Sequence, residues 1–171
     1  MNTPSCKRRF RKCGEFGFCV NIGEKGYVLA ESSEIFQTAF LYVVKGVGKM
    51  GKMFKSDFIE ISEGNFYDIQ NFEGEDVIFK SFDDFYLIGF NPLDSKWKAR
   101  LIRSDETELD LKSIYDKPQS VPSKSFIVCL DGNPIINDKE FKRYDYSEVT
   151  YPKQYNIQLN EGALGFFTKT L

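Results

Sequence analysis

Histidine is absent from the 171 residues. Its absence removes the commonest general base and metal ligand, and the one side chain whose ordinary pKa lies near neutrality. Cysteine is scarce: Cys6, Cys13, Cys19 and Cys129 form no C-x-x-C pair, and no histidine can complete a mixed zinc site. The expected state is reduced thiols in a cytoplasmic protein, with Cys129 in "SFIVCLDG" buried as a small apolar residue. No apolar run approaches the ~20 residues that span a bilayer, so no membrane partner is expected. The opening "MNTPSCKRRFRKCGEFGFCV" has a basic cluster without an apolar stretch behind it, which argues against a secretory signal. Strong net charge is lacking too. At −2 overall, with a pI near 5.4, the average surface gives no reason to expect nucleic acid or an anionic membrane.

Aromatic residues are plentiful. Seventeen Phe and nine Tyr favour sheet, because flat rings pack well on a pleated, half-buried surface. Short β-rich runs punctuated by Gly, Asn, Asp and Pro follow one another along nearly the whole chain. Helical periodicity is weak throughout, even in "ESSEIFQTAFLYVV", whose β-branched and aromatic end favours strand. Many short strands at regular spacing predict an all-β sandwich or barrel. The Pro- and Ser-containing "DKPQSVPSKS" is the best linker. It divides the chain into a basic N-terminal arm (1–15), a first β-domain (16–115) and a C-terminal β-rich part (116–171) that packs on or completes the first. The tail also echoes the middle. "FLYVVKGVGKM…KSDFIEISEGNFYDI" and "FIVCLDGNPII…KEFKRYDYSEVTYPKQYNI" both run apolar strand, Gly turn, short strand, charged turn and alternating strand. A compact duplicated arrangement is therefore one expectation, and a chance likeness of two β-meanders is the other.

Two segments carry a family resemblance. In "SDFIEISEGNFYDIQN", Asp57, Ile61, Gly64 and Asn71 fall where G-D-x-x-x-I-P-x-G-x-x-H-x-x-x-N requires them. Ser56, Ser62 and Tyr67 replace the usual Gly, Pro and His. For the pattern G-x5-H-x-H-x3–4-E-x6-G, Gly26 and Gly46 supply the end glycines, with Ser32 and Glu34 at the histidine positions and Ala39 at the glutamate. These are the two motifs of the cupin superfamily, which the chain resembles over about residues 20–92. The resemblance implies a cupin-like jelly-roll, duplicated in the bicupin manner if the tail repeats it, whose turn glycines persist while the metal ligands are gone. Three or four convergent N or O donors hold a first-row metal, and Ser, Ala and a neutral Tyr phenol are poor substitutes. The expectation is no metal and no cofactor.

Two classes of function fit this reading. The first is a non-catalytic jelly-roll for binding or assembly, acting as a homo-oligomer or with other protein subunits. The composition and the common use of jelly-rolls in viral shells make a bacteriophage virion structural or accessory protein its most concrete form, placing it in the virion. The second is a metal-independent enzyme or sensor of the same fold, acting on a sugar or other small polar metabolite. Its residues would be the barrel-mouth candidates Glu34, Tyr42, Glu60, Tyr67 and Asn71. No catalytic residue is assigned, because aromatic and acidic residues at alternating strand positions are more often core and solvated face. The basic arm, with Lys7, Arg8, Arg9, Arg11 and Lys12, is the candidate partner-binding segment. It is the one place where nucleic acid is a conceivable ligand, and docking on a neighbouring subunit is the favoured role.

Overall fold

The structure is a computed structural model that describes residues 3–13, 16–31, 40–52, 58–69, 77–92, 97–103, 125–149 and 157–169. The described residues contain strands and turns and no helix, so no helix is long and apolar enough to cross a membrane. The chain divides into two compact units, Met1–Asp94 and Ser95–Leu171. This division falls earlier than the one read at 115/116, and "DKPQSVPSKS" lies outside the described residues.

Among the described residues, the basic segment read as an arm forms the edge strand of a sheet in the first unit. Strand β1 (Cys6–Cys13) pairs antiparallel with β2 (Phe16–Gly23) along its full length, from Cys6 opposite Gly23 to Cys13 opposite Phe16. An edge position accommodates a run of charge that a central strand would not, because only one side of the ladder must be satisfied. The first unit continues through β3 (Val28–Glu31), β4 (Phe40–Lys45), β5 (Val47–Lys52), β6 (Phe58–Ser62), β7 (Phe66–Asp68), β8 (Val77–Ser81) and β9 (Phe85–Pro92). One sheet has the order β1-β2-β9-β4-β7 and the other β3-β8-β5-β6. Leu41, Val43, Phe85 and Leu87 from the first sheet meet Met50, Ile61 and Phe79 from the second in one apolar cluster. Each such side chain, when fully buried, contributes roughly 1.5–3 kcal/mol.

The opposite face of the first sheet is apolar as well. Phe18 stands 5.1 Å from Phe90 in an edge-to-face pair, and Phe40 stacks on Phe66 at 5.7 Å. Strand β4 is accordingly buried from Phe40 through Val43 without the alternation of a one-sided strand.

The second unit contains β10 (Trp97–Arg103), β11 (Ser125–Asp131), β12 (Ile135–Ile136), β13 (Lys139–Glu140), β14 (Tyr146–Val149), β15 (Ile157–Gln158) and β16 (Ala163–Lys169). Its sheets run β10-β16-β11-β14 and β13-β12-β15. Ile102, Ile127, Cys129, Leu164 and Phe166 pack against Ile136, Phe141, Ile157 and Leu159.

Among the described residues the second unit repeats the first unit's pairing for every strand but β1 and β3. Just as β4 lies between β7 and β9, β11 lies between β14 and β16; just as β5 lies between β6 and β8, β12 lies between β13 and β15. The irregularities repeat too. The β4–β9 ladder shifts register between Val43 and Lys45, and the β11–β16 ladder between Cys129 and Asp131. Each bulge is followed by a glycine with positive φ, Gly46 at +97° and Gly132 at +69°. A Cβ on Gly46 would lie 2.6 Å from the Asp84 carbonyl oxygen, and one on Gly132 the same distance from the Gly162 Cα. Only glycine fits either turn. The echo heard between "FLYVVKG" and "FIVCLDG" is thus a repeat of topology, down to the bulges.

Candidate functional site

The three motif glycines all adopt left-handed backbone: Gly26 at +85°, Gly46 at +97° and Gly64 at +79°. Side chains with a Cβ rarely adopt that conformation, so the glycines fix where the turns of the two motifs fall. Around the second motif, the Gly64 N–H donates to the Val43 carbonyl (2.7 Å), and the Val43 N–H donates to that of Asn65 (3.1 Å). The Asn65 amide nitrogen also donates to the Ser62 hydroxyl at 2.8 Å, which tightens the turn.

Tyr67, at the position of the motif histidine, follows this turn on β7. It lies opposite Leu41 and packs against the first unit's core. Its hydroxyl accepts a hydrogen bond from the Ser62 N–H at 3.0 Å. The phenol therefore serves the backbone of its own turn. The second unit repeats this element around residues 142–147. The Tyr144 N–H donates to the Cys129 carbonyl (2.8 Å) and the Cys129 N–H to that of Asp145 (2.8 Å). The counterpart of Tyr67 is Ser147, opposite Ile127. Neither unit offers a nitrogen donor at that position. Among the described residues no three Cys, Asp or Glu side chains gather in a way that would hold a metal ion.

Of the other barrel-mouth candidates, neither Tyr42 nor Glu60 is brought to Tyr67. Tyr42 is 3% exposed and pairs with Ile88 and Phe66, so it belongs to the face of its sheet opposite Leu41 and Tyr67. Glu60 is exposed on the other sheet, across from Lys49. Glu34 and Asn71 lie outside the described residues, as do Ser32 and Ala39. Lys7, Arg8, Arg9, Arg11 and Lys12 are all in β1, with Arg11 opposite Phe18 and Lys12 opposite Gly17.

One buried polar residue escaped the sequence reading. Asn21 is 4% exposed and lies opposite Leu87, on the core side of the first sheet. Its Oδ1 accepts from Arg8 Nε at 3.0 Å, and its amide nitrogen approaches the Cys19 sulfur at 3.6 Å. At the equivalent place the second unit has Ile102, opposite Leu164 and fully buried. The one available signal was the parity of "FCVNIG", which puts an asparagine on the face it shares with Cys19.

Cys6, Cys19 and Cys129 are free thiols. Burial pushes the Cys129 thiol up to about 12, with Asp145 acting in the same direction and Arg143 against it. Burial also raises Cys6, with nearby Arg8 opposing. Neither is a ready nucleophile at neutral pH.

No protein-family model matches the chain, and no curated protein matches it in sequence. Solved structures do. HutD from Pseudomonas fluorescens superposes with a TM-score of 0.55 at 10% identity, covering 99% of this chain and 100% of that one. A cupin 2 conserved barrel domain protein from Leptotrichia buccalis gives 0.53 at 11% identity, covering 98% and 89%. The bacterial pirin YhhW from Escherichia coli, solved in complex with nickel(II), gives 0.52 at 9% identity, covering 98% and 99%. The protein thus has the fold of the cupin superfamily. The likeness extends over both units, beyond residues 20–92 where the motifs were read.

Proposed function

We propose that this protein is a non-catalytic cupin-fold module for binding or assembly with protein partners. One observation carries the reading. In both units the motif histidine is replaced, by Tyr67 whose hydroxyl is committed to the Ser62 backbone and by Ser147, on elements packed against cores of aliphatic and aromatic side chains. The enzyme or sensor reading requires polar groups converging on a substrate. Tyr67, Tyr42 and Glu60 occupy three different sheet faces, which favours the binding role. The bacteriophage virion form of this role rests on composition and on the common use of jelly-rolls in viral shells. The test combines particle sizing, metal analysis of protein purified without chelator, and an activity screen on sugar phosphates and nucleotide sugars. Assembly with itself or a partner, without stoichiometric metal or turnover, is the expected result. Turnover that disappears in Tyr67→Phe would overturn it.

A further inference from the structure

Asp131–Gly132 is the one place in the chain where an aspartate or asparagine precedes a glycine. Glycine has no side chain to shield its amide nitrogen, so here that nitrogen most easily reaches the carboxyl group before it. The fold sets this bond in the turn after the second unit's bulge. Gly132 is exposed, with φ +69°, and its N–H donates to Asp131 Oδ1 at 2.9 Å. Nitrogen and carboxyl group therefore stand side by side, within reach of water. The same oxygen accepts from Arg143 Nη2 at 2.7 Å, and Arg143 Nε donates to the Leu130 carbonyl at 3.0 Å. The two bonds hold the guanidinium across the residues just before this bond. At the matching turn of the first unit stands Lys45–Gly46, which has no carboxyl group to react.

We propose that Asp131–Gly132 is a self-modification site, where the main chain rearranges to isoaspartate at a rate restrained by Arg143. The Gly132 nitrogen bonds to Asp131 Cγ, and one carboxyl oxygen leaves as water, taking the amide proton and one proton from solvent. Water then adds to either carbonyl of the five-membered imide. Opening at the side-chain carbonyl restores aspartate; opening at the main-chain carbonyl leaves isoaspartate with a free α-carboxylate. No oxidant, reductant or cofactor enters. Arg143 acts by position. With Oδ1 held between the Gly132 N–H and the guanidinium, an oxygen faces the nitrogen. Presenting the carboxyl carbon instead requires the group to turn and release Arg143. The product lengthens the main chain by one carbon at the Asp131–Ala163 pair, where the β11–β16 ladder ends. The turn has no room for it, since even a Cβ on Gly132 would lie 2.6 Å from the Gly162 Cα. The freed α-carboxylate is the group that a repairing carboxyl methyltransferase takes as substrate. This inference goes beyond the binding role and does not depend on it.

The experiment incubates the full chain, folded, at mildly acid pH and body temperature for several weeks. Mass spectrometry with electron-transfer fragmentation, which splits the Cα–Cβ bond of an isoaspartate backbone, locates the product. Isoaspartate is expected at residue 131 ahead of every other aspartate. It should form about threefold faster in Arg143→Gln, the rate equivalent of releasing one partly exposed ion pair. That variant also loses a hydrogen bond to the Leu130 carbonyl, so a general loosening needs its own control. Ile127→Ala loosens the same core with Arg143 in place and should isomerise more slowly than Arg143→Gln, with circular dichroism checking that both are folded. The parent protein alone decides the site, whatever the variants do. No isoaspartate at 131 in the folded chain, an unchanged rate in Arg143→Gln, or an equal gain in Ile127→Ala would each overturn the proposal.

Discussion

Gly64 and Tyr144 occupy the same place in the two units. Each has a left-handed backbone, φ +79° and +77°, and each donates its N–H to the carbonyl of the residue just before a bulge, Val43 or Cys129. A residue with a Cβ pays roughly 1–2 kcal/mol for that conformation. The first unit avoids the strain with the motif glycine; the second carries it.

Replacing Gly64 by alanine should therefore destabilise the first unit by about 1–2 kcal/mol. At position 144, where the half-buried ring complicates a direct comparison, the informative pair is Tyr144→Gly against Tyr144→Ala. The glycine variant should be the more stable by about 1 kcal/mol in urea titration. Equal midpoints would show that the strain is relieved elsewhere.

Tyr67→Phe removes the acceptor of the Ser62 N–H and leaves the ring in the core. The expected cost is about 1 kcal/mol, the value of one partly buried hydrogen bond. Urea unfolding measures it, and an unchanged midpoint would mean that the phenol does not hold the turn.

Ile127→Ala deletes a fully buried side chain in the second core and should cost about 2–5 kcal/mol. Arg143→Ala should cost less, about 1–2 kcal/mol, because its 2.7 Å contact with Asp131 is partly exposed and most of the loss is the Nε hydrogen bond to the Leu130 carbonyl (3.0 Å). The contrast, read from thermal or urea midpoints, tests whether burial outweighs short polar distance here.

Cys129 should resist iodoacetamide in the native protein at pH 8 and react once the protein is denatured, as mass spectrometry would read. Its pKa is raised on folding from 9.0 to about 12, so the folded state holds the proton more tightly than the unfolded chain. The resulting stabilisation is full below pH 9 and is lost as pH rises from 9 towards 12. Cys129→Ala should flatten stability against pH across that window.

The all-β architecture was legible because its signals are local: β-rich runs, and glycines at 26, 46 and 64 in turns only glycine tolerates easily. The repeat of topology was legible for the same reason, since "KG" and "DG" mark the same bulge and turn. What depended on pairing was not legible. Tyr42 and Tyr67 fall on opposite faces because β4 registers Leu41, rather than Tyr42, against Tyr67. The basic run looked like an arm because charge on both faces hides the period-two pattern of a strand. The boundary was drawn at a proline-rich stretch, although the compact units part near Asp94.

Val44 and Leu130 are the surplus residues of the two bulges, each followed two positions later by its glycine. Such a supernumerary residue lets substitution roam while forbidding any change of count. Trim one, and Lys45 or Asp131 would swing towards oil while the strand's ending lost its partner. The two units differ in side chains at most of these positions, yet share this short arithmetic.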